Sequence, residues 1–234
     1  MKHTTKSIAL ALSLATLATT SLPVLGASVD VRVIGSITPA ACTPTVGGGG
    51  TIDYGHIHPS TLSPTDYKVL PVMSTAFSIT CDAPAKVAIV AKNGRMGSLA
   101  GAVEGVTGAA PSPVTLLGTA GLAVVGLGLD GSAKIGGYAI ALKPSSVLAD
   151  GVAVGGIQRN ADWSTWDSTL IGSLYNNNID RHSSWAATGT LDPIAFETLS
   201  GELTVQAYLN HASELDLTKP VVLDGLTTLE LIYL

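Results

Sequence analysis

The chain has 234 residues, of which 46% are hydrophobic, 12% charged and 5% aromatic, with 26 glycines. A charged fraction about half that of an average soluble domain disfavours a helical bundle or coiled coil, and this hydrophobicity with a net charge of -5 is the reverse of the signature of disorder. Only 12 Lys and Arg are present, with no basic run after residue 6, so nothing neutralises a phosphate backbone and nucleic acid is excluded as a partner.

Lys2 and Lys6 precede the uncharged stretch 8–18, and the small residues Gly26 and Ala27 follow soon after. This order predicts a secretory signal peptide over 1–26, too short in its apolar part for a membrane anchor and interrupted by Pro23. From residue 27 the pattern changes to period two. Val29, Val31 and Val33 alternate with Asp30 and Arg32, and Gly35 and Ile37 continue their face, which predicts a strand within a 27–38 extension.

The four glycines 47–50 read as a flexible break, followed by a predicted strand over 51–55. Further strands are predicted over 76–81 and 86–91, the latter ending at the turn Asn93-Gly94. The stretch 105–129 carries no charge, yet Pro111, Pro113 and several glycines cut it into strand-sized pieces, so no membrane insertion of the mature chain is expected. Its last part, 122–129, is read as a buried strand paired across Asp130-Gly131 with 133–142. Residues 158–190 are polar and irregular, predicting loops and an edge strand; 202–209 and 226–234 alternate again. Many short strands without amphipathic helices predict an all-β protein, an antiparallel β-sandwich occupying 39–234 as one domain.

Cys42 and Cys81 are the two cysteines of the chain. In an exported protein an even pair reads as a disulfide, and closing a loop of this size is worth about 4 kcal/mol in the chain-entropy model. The strands at the two ends carry the remaining signal. Leu229, Leu231 and Tyr233 share one face of the 226–234 strand, and the sheet edge there has no obvious cover, while Val29, Val31, Val33 and Ile37 are a ready complement to such an edge.

Other constellations lead to no chemistry. His56 and His58, with Asp53 and Asp66 nearby, have no third ligand in view, and Pro59 follows at once, so they read as a polar loop rather than a metal site. Neither HExxH nor GxSxG occurs, the glycines 47–50 lack the ending of a phosphate loop, and His182 with Ser183, Ser184 and Asp180 lacks an identifiable oxyanion hole. No catalytic activity and no cofactor are expected. Trp163 and Trp166, flanked by Asp162 and Asp167, could stack on a sugar, or could plug the end of the sandwich.

The segment Val31-Arg32-Val33-Ile34-Gly35-Ser36-Ile37-Thr38-Pro39-Ala40-Ala41-Cys42 resembles the N-terminal extension of chaperone-usher pilins, with its glycine seven positions before the first cysteine. Cys81 matches the second pilin cysteine and Tyr233 the penultimate tyrosine of the terminal pilin strand. The motifs Asp53-Tyr54-Gly55 and Lys134-Ile135-Gly136-Gly137-Tyr138 are similar to a Gram-negative fimbrial-like family related to the beta-fimbrial major subunit. The resemblance implies an incomplete immunoglobulin-like sandwich of pilin type, completed first by a periplasmic chaperone and then, after an outer-membrane usher, by the extension of a neighbouring subunit. It implies a surface fimbrium as the destination, Val29, Val31, Val33, Gly35 and Ile37 as the donor strand, and Leu229, Leu231 and Tyr233 as the chaperone and acceptor strand. Gly35 would then sit where the donor backbone passes a crowded point of the groove. The chain is longer than a usual major pilin, with the surplus at about 95–190, and no lectin domain precedes the extension as it does in two-domain adhesins.

Overall fold

A 14-residue strand organises the fold of the computed structural model, which describes residues 29–36 and 40–234. The principal strands are β1 (Cys42–Val46), β2 (Met73–Ala85), β3 (Val87–Asn93), β4 (Ala123–Gly126), β5 (Gly136–Leu142), β6 (Val152–Asn160), β7 (Arg181–Ala187), β8 (Phe196–Leu209) and β9 (Thr227–Tyr233). The long strand is β8. Along one side it pairs with β2, which carries β1 at its far edge; along the other it pairs with β5, which carries β4. The second layer runs β9-β3-β7-β6. The short strand Leu148–Ala149 pairs with both β6 and β8 and joins the layers at one side. Every ladder between strands is antiparallel. The protein is an all-β antiparallel sandwich.

Alternation decides which side chains enter the space between the layers. Phe77 and Ile79 of β2, Val87 and Ile89 of β3, Trp185 of β7 and Leu199 of β8 are almost fully buried there. Trp185 meets Phe196 edge to face at 5.7 Å. Cys42 and Cys81 stand directly opposite one another in the β1–β2 ladder and are disulfide-bonded.

The opposite face of β4, β5 and β8 is also covered. Val124, Ala139 and Tyr208 point into a second apolar cluster, closed by Leu99, Leu116 and Leu122 from the long connection after β3. This explains the uncharged stretch 105–129: strands covered on both faces lose their polar positions. The connection after β3 is therefore a lid on an outer face. Gly136 permits the tight approach of β5 to β8, since a Cβ at that position would lie 2.0 Å from the Tyr208 carbonyl oxygen.

Several sequence expectations hold. Residues 76–81, 86–91 and 202–209 fall within or largely within β2, β3 and β8, and 226–234 contains β9. The hairpin over 122–142 forms, with Asp130 opposite Ala133 and Val125 opposite Tyr138. Residues Gly47–Gly50 make a tight turn, three of them at positive φ.

Three expectations are corrected. Residues 51–55 are not a strand: Asp53 Oδ1 accepts from Gly55 N in a local turn, and the segment contributes side chains to the core without joining a ladder. The strand within 158–190 is not at an edge, because β7 lies between β3 and β6; only the two-residue strand Asp167–Ser168 sits outside β6. Residues 29–36 carry no strand, since among the described residues no segment pairs with them. The expected signal peptide and Ile37 lie outside the described residues.

Candidate functional site: two open strand edges

β1 pairs only with β2, and β9 only with β3, so among the described residues each leaves one edge without a strand partner. The core is least closed along these elements. Cys42 and Val46 of β1, Ile52, Tyr54 and Ile57 after it, Val221 and Leu223 ahead of β9, and Leu229 and Leu231 of β9 all pack against the main core while remaining partly exposed. Apolar side chains that touch both core and solvent beneath two free edges are what an added strand would cover.

The two edges are tied at one point. The Cys42 backbone N–H donates to the Tyr233 hydroxyl at 2.8 Å. At the other end of β9, the Thr227 hydroxyl shares hydrogen bonds with Tyr138 at 2.6 Å and Tyr175 at 2.9 Å. Burial pushes the Tyr138 phenol up to about 12, and burial likewise raises that of Tyr175. β9 is thus fastened at both ends, while its middle, Leu229 to Leu231, has no second strand partner among the described residues.

Tyr54 closes part of the neighbouring surface. Its hydroxyl accepts from Ala207 N at 3.2 Å and donates to Val205 O at 3.3 Å. Desolvation raises its pKa. It fills a gap in the β8 ladder between Met73, opposite Val205, and Val69, opposite Tyr208. Sequence reading missed both this plug and the Tyr233–Cys42 tie; the alternation Ile52, Tyr54 was the available signal for the first, and nothing in the sequence marks the second.

The other candidate residues separate clearly. Val29, Val31 and Val33 are 87%, 85% and 94% exposed, and the position a Cβ would take at Gly35 has open space around it. Trp163 is about half exposed, whereas Trp166 lies under the Arg159 guanidinium, 4.7 Å from its ring centroid. The two indoles therefore do not present a pair of free faces. Trp185, by contrast, is core.

His56 and His58 are both exposed, and the Nδ1 of His58 is engaged by Ser60 in a local turn. Asp53 and Asp66 are occupied by Gly55, Ser63 and Thr65. Among the described residues, no three His, Cys, Asp or Glu side chains cluster as metal ligands. The Ser184 hydroxyl donates to Val87 O at 2.8 Å, Asp180 pairs with Lys92, and burial, then Arg159, holds the His182 pKa down. Ser184 and Asp180 are thus engaged with neighbouring strands, while the buried His182 Nδ1 has no hydrogen-bond partner among the described residues. Among the described residues no helix is long and apolar enough to cross a membrane.

Comparison with known proteins places the chain among relatives. The family described as "Protein of unknown function (DUF1120)" matches residues 31–139, from the exposed valines through the disulfide to β5. Uncharacterized protein YhcF of Escherichia coli (strain K12) is 33% identical over 72 residues, 31% of this chain and 29% of that protein. No solved structure matches. Protein GltF of Escherichia coli (strain K12) is 30% identical over 258 aligned residues, covering 99% of this chain and 97% of that protein, and the chain belongs to the same family as GltF.

Proposed function

We propose that this protein is a structural subunit of a chaperone-usher fimbria, an incomplete immunoglobulin-like sandwich that polymerises when the 27–38 extension of one copy enters the open edges of the next. One observation carries the reading: among the described residues β1 and β9 each have an edge without a strand partner over partly exposed core side chains, while the same chain offers the alternating, exposed Val29, Val31 and Val33. A strand laid between those edges would satisfy backbone groups of β9 and cover Leu229 and Leu231. Burying about four β-branched side chains contributes on the order of 6 to 12 kcal/mol as an upper bound, comparable to the stability of a whole domain.

In this reading the chain is exported and oxidised at Cys42 and Cys81 in the periplasm. A chaperone holds the β9 edge, and an usher exchanges it for a neighbouring subunit. The expected outcome is a ladder of wild-type assemblies on gels run without boiling, and loss of that ladder on deletion of residues 29–37. A ladder unchanged by that deletion would overturn the proposal.

A carbohydrate-binding role is the second reading, favoured by the half-exposed Trp163. Its signature is glycan binding that survives deletion of residues 29–37 and is lost in Trp163→Ala plus Trp166→Ala.

A further inference from the structure

Resting on the strand-exchange reading, we infer that the connection after β3, around Met96 and Val106, is the seat on which the neighbouring copy's disulfide end rests. The argument is one of direction and reach. β9 runs from Thr227, opposite Asn93, to Tyr233, opposite Val87, and Tyr233 touches Cys42. The sandwich therefore has a disulfide end and an Asn93 end. Every ladder in the fold is antiparallel, and a strand added to β9 in that sense runs from the Tyr233 end towards Thr227. The incoming strand ends at Ile37, five residues before Cys42 of its own domain, a distance of at most about 17 Å. The donor's disulfide end is held within that reach of the acceptor's Asn93 end.

The surface waiting there has the character of an interface. Met96 is 60% exposed and Val106 80% exposed, and with the Lys92–Asp180 ion pair they line an open depression of about 400 Å³. Exposed apolar side chains beside charged ones are a combination that protein contacts use. The loop is also fixed rather than free. The Glu104 carboxylate accepts from Gly97 N at 2.6 Å and Leu99 N at 2.8 Å, and the Asn93 amide donates to Gly108 O at 2.9 Å. A fixed loop has less entropy to lose on contact. The occupant is a second copy of this chain, because its tether of at most about 17 Å holds its disulfide end at this end of the acceptor.

The test uses the full exported chain carrying Met96→Asp and Val106→Asp. Both side chains face solvent, so the monomer's melting temperature stays that of the wild type. The assembled fraction on unboiled gels falls at least fivefold, while a synthetic peptide of residues 28–38 raises the melting temperature of variant and wild type alike. Wild-type assembly by the variant, with the peptide effect intact, overturns this inference and leaves strand exchange standing. A peptide without effect on the wild type overturns strand exchange and this inference with it. Independently, a photo-crosslinker replacing Val106 links to a neighbour's peptide spanning Ala40 to Cys42; crosslinks in the ladder that map elsewhere contradict the seat.

Discussion

A hydrogen atom in place of a side chain at Gly136 decides how closely β5 can approach β8. With the Tyr208 carbonyl oxygen 2.0 Å from where a Cβ would stand, Gly136→Ala has to separate the two strands. The expected cost is on the order of 3 kcal/mol, read as a lowered midpoint in urea unfolding; an unchanged midpoint would show that the strands have room. Tyr208 itself is wholly buried, with its hydroxyl donating to Ala100 O at 2.6 Å. Burial raises the pKa of Tyr208, Tyr138 and Tyr175 above the ordinary 10. A phenol raised in the folded state stabilises the fold fully below pH 10, and that contribution is lost as pH climbs through the folded value. Tyrosinate absorbance from these three should therefore emerge together with loss of the β-sheet circular dichroism signal. Ionisation well ahead of unfolding would contradict their burial.

Asp150 gives the acid counterpart. Its carboxylate accepts from Thr198 N at 2.8 Å, from the Thr198 hydroxyl and from Glu197 N, and these bonds, the Thr198 amide first, hold its pKa below 3.8. Asp150 has φ 48°, a conformation Asn tolerates, so Asp150→Asn isolates the loss of charge. The variant should melt below wild type at neutral pH, with the gap closing as pH falls through the depressed pKa. A gap that persists in strong acid would mean that shape rather than charge is responsible.

At the scale of elements, legibility followed whether a segment's own pattern fixes its surroundings. β2 and β8 were readable because one face of each is largely buried, β3 because its run is mostly apolar, and β9 because its alternating Leu229 and Leu231 are half-buried. The stretch 51–55 alternates for the same reason, since Ile52 and Tyr54 reach the core, but alternation reports side chains and is silent on whether a backbone partner exists. The polar look of β7 misled in the other direction. Ser184 sits inside the sheet because its hydroxyl satisfies the Val87 carbonyl, which a sequence cannot announce. The lid over β4, β5 and β8 has no period at all, and its presence shows only in the missing charges. Of the candidate site, the exposed valines and the β9 face were legible; the tie from Cys42 to Tyr233 depends on two edges 191 residues apart.

The same logic predicts what the extension tolerates. Val31→Asp plus Val33→Asp alters side chains that are already exposed, so the monomer's thermal unfolding should not move while the unboiled ladder disappears. Assembly by this variant at the wild-type level would show that the valines are not what the neighbour binds.

The whole molecule is a sandwich closed by the lid on an outer face of one layer, and among the described residues the outer edges of β1 and β9 have no strand partner. The covered side carries wholly buried side chains such as Leu99 and Tyr208, whereas the open side carries Leu229, Leu231 and Val46 at intermediate exposure. In the strand-exchange reading, a strand added on the open side contributes apolar burial and backbone pairing at once. The most direct measurement is the thermal unfolding of the purified, processed monomer with and without a peptide of residues 28–38. The expected result is a low melting temperature alone and a rise on the order of 10 °C or more with saturating peptide. A monomer that is already highly stable, and whose melting temperature the peptide leaves unchanged, would contradict it.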